Sequence, residues 1–149
     1  MALEKTTEWA IIVAAVAGIA TIMVVAGLFS ATQTINSTGT VNTVGVAVYW
    51  NSGCTNATTA INWGSISPGE NRSYTIYIKN PGNTAGVLGM ATSGWNPLNC
   101  TSYISVGWNC TGYRLEAGSV VPANVTLSVS SSVSGITSFS FNMTITGTA

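Results

Sequence analysis

Few residues in this 149-residue chain could do chemistry. It has no His and no Asp. General acid–base work would fall on Glu70, Glu116, the lysines or the tyrosines. Glu70 follows Pro68-Gly69 in a turn pattern and Glu116 stands beside Arg114, so solvated loop charges account for both. Cys54, Cys100 and Cys110 have no His to take a thiol proton. No CxxC spacing occurs, and zinc or calcium would find few ligands. The glycines are scattered and form no phosphate-cradling loop. The expectation is a protein that is not an enzyme and has no cofactor and no metal.

One modification chemistry is written repeatedly. Asn-x-Ser/Thr occurs at Asn36, Asn56, Asn71, Asn99, Asn109, Asn124 and Asn142. With 13 Asn, and 38 Ser or Thr among 149 residues, chance gives roughly three such tripeptides. The excess points to N-glycosylation at several sites. At Asn124 and Asn142 the Asn and the Thr fall on one face of an alternating segment, so a sugar there meets no packed side chain. The plainer explanation is that Asn and Thr cover a solvent face.

The cysteines form an odd set, so one at least stays unpaired within the chain. Cys100 and Cys110 bracket what reads as one strand, and ten extended residues span about 33 Å. A disulfide needs Cα atoms about 4.4–6.8 Å apart. Cys54, just past the first strand, is therefore the candidate partner for Cys100 or for Cys110.

Two kinds of element must carry these features. The first is the stretch from Trp9 to Phe29, without charge or proline. As a helix its 21 residues span about 31 Å, enough to cross a bilayer and longer than a secretory-signal core. It is apolar all round, which calls for lipid or other helices as neighbours. Small residues recur at Ala10, Ala14 and Gly18, and again at Ala17 and Thr21, a spacing that lets helix backbones approach.

After Gln33 the period changes to two. Val44, Val46, Val48 and Trp50 share one face. So do Tyr74, Ile76 and Ile78; Ile104, Val106 and Trp108; Val125, Leu127 and Val129; and Phe139, Phe141, Met143 and Ile145. "INWGSI" and "VLGMAT" are weaker candidates. Ser67-Pro68-Gly69, Asn80-Pro81-Gly82, Asn96-Pro97 and Val121-Pro122 read as turns. The expected fold class is a long N-terminal hydrophobic α-helix over residues 1–34, followed over 35–149 by an all-β, immunoglobulin-like antiparallel β-sandwich of about seven strands. Charged residues make up only 5% of the chain, so Ser, Thr, Asn and Gly must keep the domain wet. No basic run exists, which argues against nucleic acid as a partner.

The segments "INWGSISPGENRSYTIYIKNPGNTAGVLGMATSGWNP", "YISVGWNCTG" and "GITSFSFNMTITGT" resemble the β-sandwich surface proteins of archaea related to the TasA/camelysin group. The resemblance covers residues 44–148. Joined to the N-terminal run, the chain resembles an archaeal type IV pilin. That likeness implies a homopolymer associating through the N-terminal helix, membrane-inserted before assembly, with a glycosylated domain outside. It also implies a glutamate near the mature start, at Glu4 or Glu8. The basic leader of a prepilin is not matched by "MALEKTTEW", which implies a mature chain or a different processing.

Four functions follow in order. The first is a structural subunit of an extracellular cell-surface filament, used in adhesion. The second is a donor-strand filament, in which "SATQTINSTGTVNT" completes a neighbour's sheet. The third is a membrane-anchored adhesin or binding module, with Trp63 or Trp95 lining a sugar site. An enzyme comes last.

Overall fold

Alternation of apolar and polar side chains builds seven strands in two antiparallel sheets. The computed structural model describes residues 33–149. Strand β1 is Ala47–Tyr49, β2 Asn71–Lys79, β3 Gly86–Asn96, β4 Ile104–Trp108, β5 Arg114–Leu115, β6 Val120–Val129 and β7 Ser140–Thr148. One sheet has the order β1-β2-β6-β4 and the other β5-β3-β7. Chain contacts divide the protein into two units, Met1–Gly39 and Thr40–Ala149. All seven strands belong to the second.

The helix-plus-sandwich fold class is corrected here to an all-β one. Among the described residues the sole helical element is one 3₁₀ turn, Leu98–Ser102. No helix among them is long and apolar enough to cross a membrane. The described strands alternate with period two, which gives a strand one buried face and a helix none, and no apolar run of helical length falls among the described residues. The expected hydrophobic helix, its packing residues Ala10, Ala14, Gly18 and Thr21, and the helical polymer built on it fall largely or wholly on residues 1–32, outside the described residues. The described structure therefore contains no helical spine.

The core lies between the sheets. Val121, Ala123, Val125, Leu127 and Val129 of β6 face it with Ile76 and Ile78 of β2, Ile104 of β4 and Leu88 of β3. Nine consecutive pairs hold β2 to β6, from Asn71↔Ser128 to Lys79↔Val120. β6 has ten residues because Pro122 is tolerated inside it. β4 stops pairing at Trp108↔Val125, so Pro122 lies past its end, where a missing N–H breaks no ladder. The Val121-Pro122 turn read from the sequence is thus strand.

Two features close the ends. Asn80 is buried, and its amide is fully used. Its Oδ1 accepts from Gly45 N (3.0 Å) and Gly82 N (2.9 Å), and its Nδ2 donates to Thr84 O (2.8 Å) and Leu115 O (3.2 Å). One side chain so ties the approach to β1, the β2–β3 turn and β5. Residues Ile61–Ile66, expected as a weak strand, carry no regular structure. They bring Trp63 into the core, where its ring lies 5.4 Å from Tyr74 and 6.5 Å from Phe141. Phe141 stacks in turn on Trp95 at 4.3 Å.

Candidate functional site

The strand order has a consequence at β7. In an immunoglobulin constant domain one sheet runs A-B-E-D and the other C-F-G. Taken in chain order, β1-β2-β6-β4 reproduces A-B-E-D, and β3-β7 reproduces C-F. The place of strand G, beside β7, is taken by no described strand. β7 pairs with β3 from Val87↔Thr148 to Asn96↔Ser140, and its other edge pairs with no strand among the described residues.

The burial pattern agrees. Inner-face residues of the central strand β6 are all buried. Phe141, Met143 and Ile145 of β7, and Phe139 just before it, have the same apolar character but are only half-buried. They form one wall of a cleft of about 960 Å³. Val46 and Val48, Ile76, Ile104 and Val129, and the loop residues Val133 and Ile136 also line it. No charged residue lines it. Its one buried polar atom without a partner is the Thr58 hydroxyl. Sequence reading missed Thr58, Val133 and Ile136, because they lie in loops where no period marks an inner face.

A matching strand exists in the chain itself. Residues 33–43 have no regular structure and are exposed. Ile35 and Val41 are 79% and 77% exposed, with Ser37 and Gly39 between them on the same side of an extended chain. Asn83 holds the far end of this arm. Its Oδ1 accepts from Thr43 N (2.8 Å), and its Nδ2 donates to Val41 O (3.0 Å).

The sugar-site residues are placed otherwise than a binding module requires. Trp63 is buried, and Trp95 is half-buried with its indole N–H donating to Thr92 at 3.3 Å. The Trp63 ring is packed against Tyr74 and Phe141, and one face of Trp95 is stacked on Phe141. Cys54, Cys100 and Cys110 are all free thiols, so the pairing of Cys54 with Cys100 or Cys110 is not made. Cys100 and Cys110 are buried beyond opposite ends of β4, and burial pushes the Cys110 thiol up from its ordinary value. Glu116 pairs with Arg114 at 2.9 Å on the surface, and Glu70 accepts from Ser67 N at 2.9 Å within its turn. No cluster of three His, Cys, Asp or Glu exists among the described residues.

All seven sequon asparagines are exposed. Asn71 lies in β2, Asn124 in β6, Asn142 in β7, Asn99 in the 3₁₀ turn, Asn109 just past β4, Asn56 after β1 and Asn36 in the arm. Comparison with protein-family models, with curated proteins and with solved structures finds no match to this chain.

Proposed function

We propose that this chain is a structural subunit of an extracellular cell-surface filament, a homopolymer in which residues 33–43 of one copy complete the sandwich of the next. The observation that carries this is the free edge of β7, with its apolar inner face half-exposed over an uncharged cleft. A sheet edge with unpaired N–H and C=O groups accepts an added strand. The arm suits it in size. Ile35 and Val41 are six residues apart, as are Phe139 and Ile145, a span of about 20 Å in either strand. Large residues at the ends of the arm's inner face and small ones, Ser37 and Gly39, in the middle leave room for Phe141 and Met143. The Thr58 hydroxyl gains a chance of a partner when a backbone enters the cleft. The resemblance to archaeal β-sandwich surface proteins supports a place on the cell surface, with adhesion as the role of the filament. Several N-glycans keep the weakly charged exterior hydrated.

Paired cysteines test it. In a Cys54→Ser background, Ser37→Cys with Met143→Cys should give a ladder of covalent multimers if the added strand runs antiparallel to β7. Ser37→Cys with Phe141→Cys should do so if it runs parallel. None of the three single variants should ladder. Filaments that cross-link in neither pairing would refute strand addition at β7.

A further inference from the structure

We propose that sugar reaches the six sequons other than Asn36 only before the domain folds, and that Asn36 alone stays open to modification on the folded chain. This rests on the reading of the domain as an N-glycoprotein. Transfer forms a bond from the Asn Nδ2 to C1 of a sugar. It breaks the bond from that C1 to the phosphate oxygen of a lipid-linked oligosaccharide, which leaves with the electron pair, and the amide loses one proton. The enzyme must grip the Asn amide and the hydroxyl two residues on, with the tripeptide drawn out of any ladder it belongs to.

The fold denies that grip in six places. Asn71-Arg72-Ser73 of β2 is paired to β6 through Ser128, Leu127 and Thr126, and Asn124-Val125-Thr126 of β6 is paired to β2 through Thr75, Tyr74 and Ser73. Their two hydroxyls are bonded to each other, Ser73 Oγ to Thr126 Oγ1 at 2.7 Å. Asn124 Oδ1 also accepts from Thr75 Oγ1 at 3.1 Å, and Val125 is wholly buried. Asn142-Met143-Thr144 is paired to β3 through Ser93, Thr92 and Ala91.

The loop sequons are closed by their own middle or last residues. Cys100 of Asn99-Cys100-Thr101 is wholly buried, and the Thr101 hydroxyl donates to Leu98 O at 3.1 Å. Cys110 of Asn109-Cys110-Thr111 is buried, Thr111 Oγ1 accepts from the Trp108 indole at 2.6 Å, and Asn109 Oδ1 accepts from Asn124 N at 2.8 Å. Drawing out either tripeptide would expose a core thiol. In Asn56-Ala57-Thr58 the hydroxyl needed for recognition is the buried Thr58 Oγ1, and Ala57 bridges to Tyr49. Asn36-Ser37-Thr38 is exposed at all three residues and makes no hydrogen bond to another described residue. All seven asparagines are exposed in the finished fold, so sugars placed earlier are accommodated.

The order is testable with the full chain, made and folded in a host without N-glycosylation. It is incubated with an oligosaccharyltransferase and a lipid-linked oligosaccharide, beside seven synthetic peptides carrying the same tripeptides. Site occupancy is read by peptide mass mapping. Asn36 should react at a rate within about threefold of its peptide, and the other six at least about a hundredfold slower than theirs, because they react only from an opened state. Native material should carry sugar at one or more of the six. A folded chain modified at Asn124 within tenfold of its peptide would overturn the proposal. So would native sugar confined to Asn36, which leaves the glycoprotein reading intact. A native mass equal to the bare polypeptide would remove that reading, and with it this proposal.

Discussion

Ile35 is the position where assembly and folding separate most cleanly. It is 79% exposed in the single chain, so its side chain contributes little to the stability of the isolated domain. Fully burying an isoleucine is worth about 1.5–3 kcal/mol, and most of that is still unspent here. In a strand added to β7, Ile35 would lie at one end of the cleft wall, beside Phe139 or Ile145. Ile35→Ala should then weaken the subunit–subunit bond by about 2 kcal/mol, or about thirtyfold in the dissociation constant. Ile35→Asp should abolish assembly, because a carboxylate would enter a cleft with no charged partner. Neither change should move the unfolding free energy of the dispersed subunit by more than about 0.5 kcal/mol, as expected for a surface site. The assay pairs sedimentation of filaments against subunit concentration with thermal unfolding of the dispersed chain. Ile35→Asp filaments of normal yield would refute the strand assignment. A large fall in the melting temperature would show instead that Ile35 belongs to the domain's own core.

Other expectations follow from single features. Asn80→Ala should cost about 2 kcal/mol or more in thermal or urea unfolding, since it strands two half-buried N–H groups, one half-buried carbonyl and one buried carbonyl. Trp63→Ala should cost about 3–5 kcal/mol by the same measurement, as it removes the ring between Tyr74 and Phe141. The Cys110 thiol, pushed up by burial, holds its proton more tightly folded than unfolded. Its contribution is complete below the unfolded value and is lost as pH rises through the raised folded one, so stability should decline on the alkaline side, and less so in Cys110→Ala. Assembly should be equal in about 0.05 M and 1 M salt by sedimentation, because neither the cleft nor residues 33–43 carry a charge to screen.

How far the sequence could be read depended on whether a signal was local. The strongly alternating segments around Ile76, Val106, Leu127 and Phe141 became β2, β4, β6 and β7. "VLGMAT" looked weak yet lies in β3, the longest strand and the middle of its sheet. Gly89, Ser93 and Gly94 dilute its pattern, and Gly89 is small because a side chain there would crowd the Thr146 hydroxyl. "INWGSI" alternates but has no strand to pair with, so it became a cover that buries Trp63. Asn80-Pro81-Gly82 is legible as a turn, whereas the four bonds of the buried Asn80 amide depend on partners up to 35 residues away. The free edge of β7 was the least legible feature. A missing neighbour leaves no mark in the strand that lacks it; only the half-burial of Phe141, Met143 and Ile145 shows it.

The two halves of the proposal meet in the period of a strand. Asn-x-Thr repeats its polar residues at a spacing of two, so a sequon laid into a strand puts Asn and Thr outward and its middle residue inward. Val125 and Met143 fill that inward place in β6 and β7. An alternating strand with Asn and Thr outside therefore writes sequons without any need for sugar. Three of the seven, at Asn71, Asn124 and Asn142, can arise this way. Asn56, Asn99, Asn109 and Asn36 lie outside the strands, where period two does not generate them. The same rule governs the arm: with Ile35 and Val41 turned into a neighbour's cleft, Asn36 and Thr38 point away from it. A sugar on Asn36 and insertion of the arm are compatible for that reason. Filaments carrying sugar at Asn36 should form with the same critical concentration as those from Asn36→Gln, and a sugar that blocked assembly would place the arm's inner face on the even-numbered residues instead.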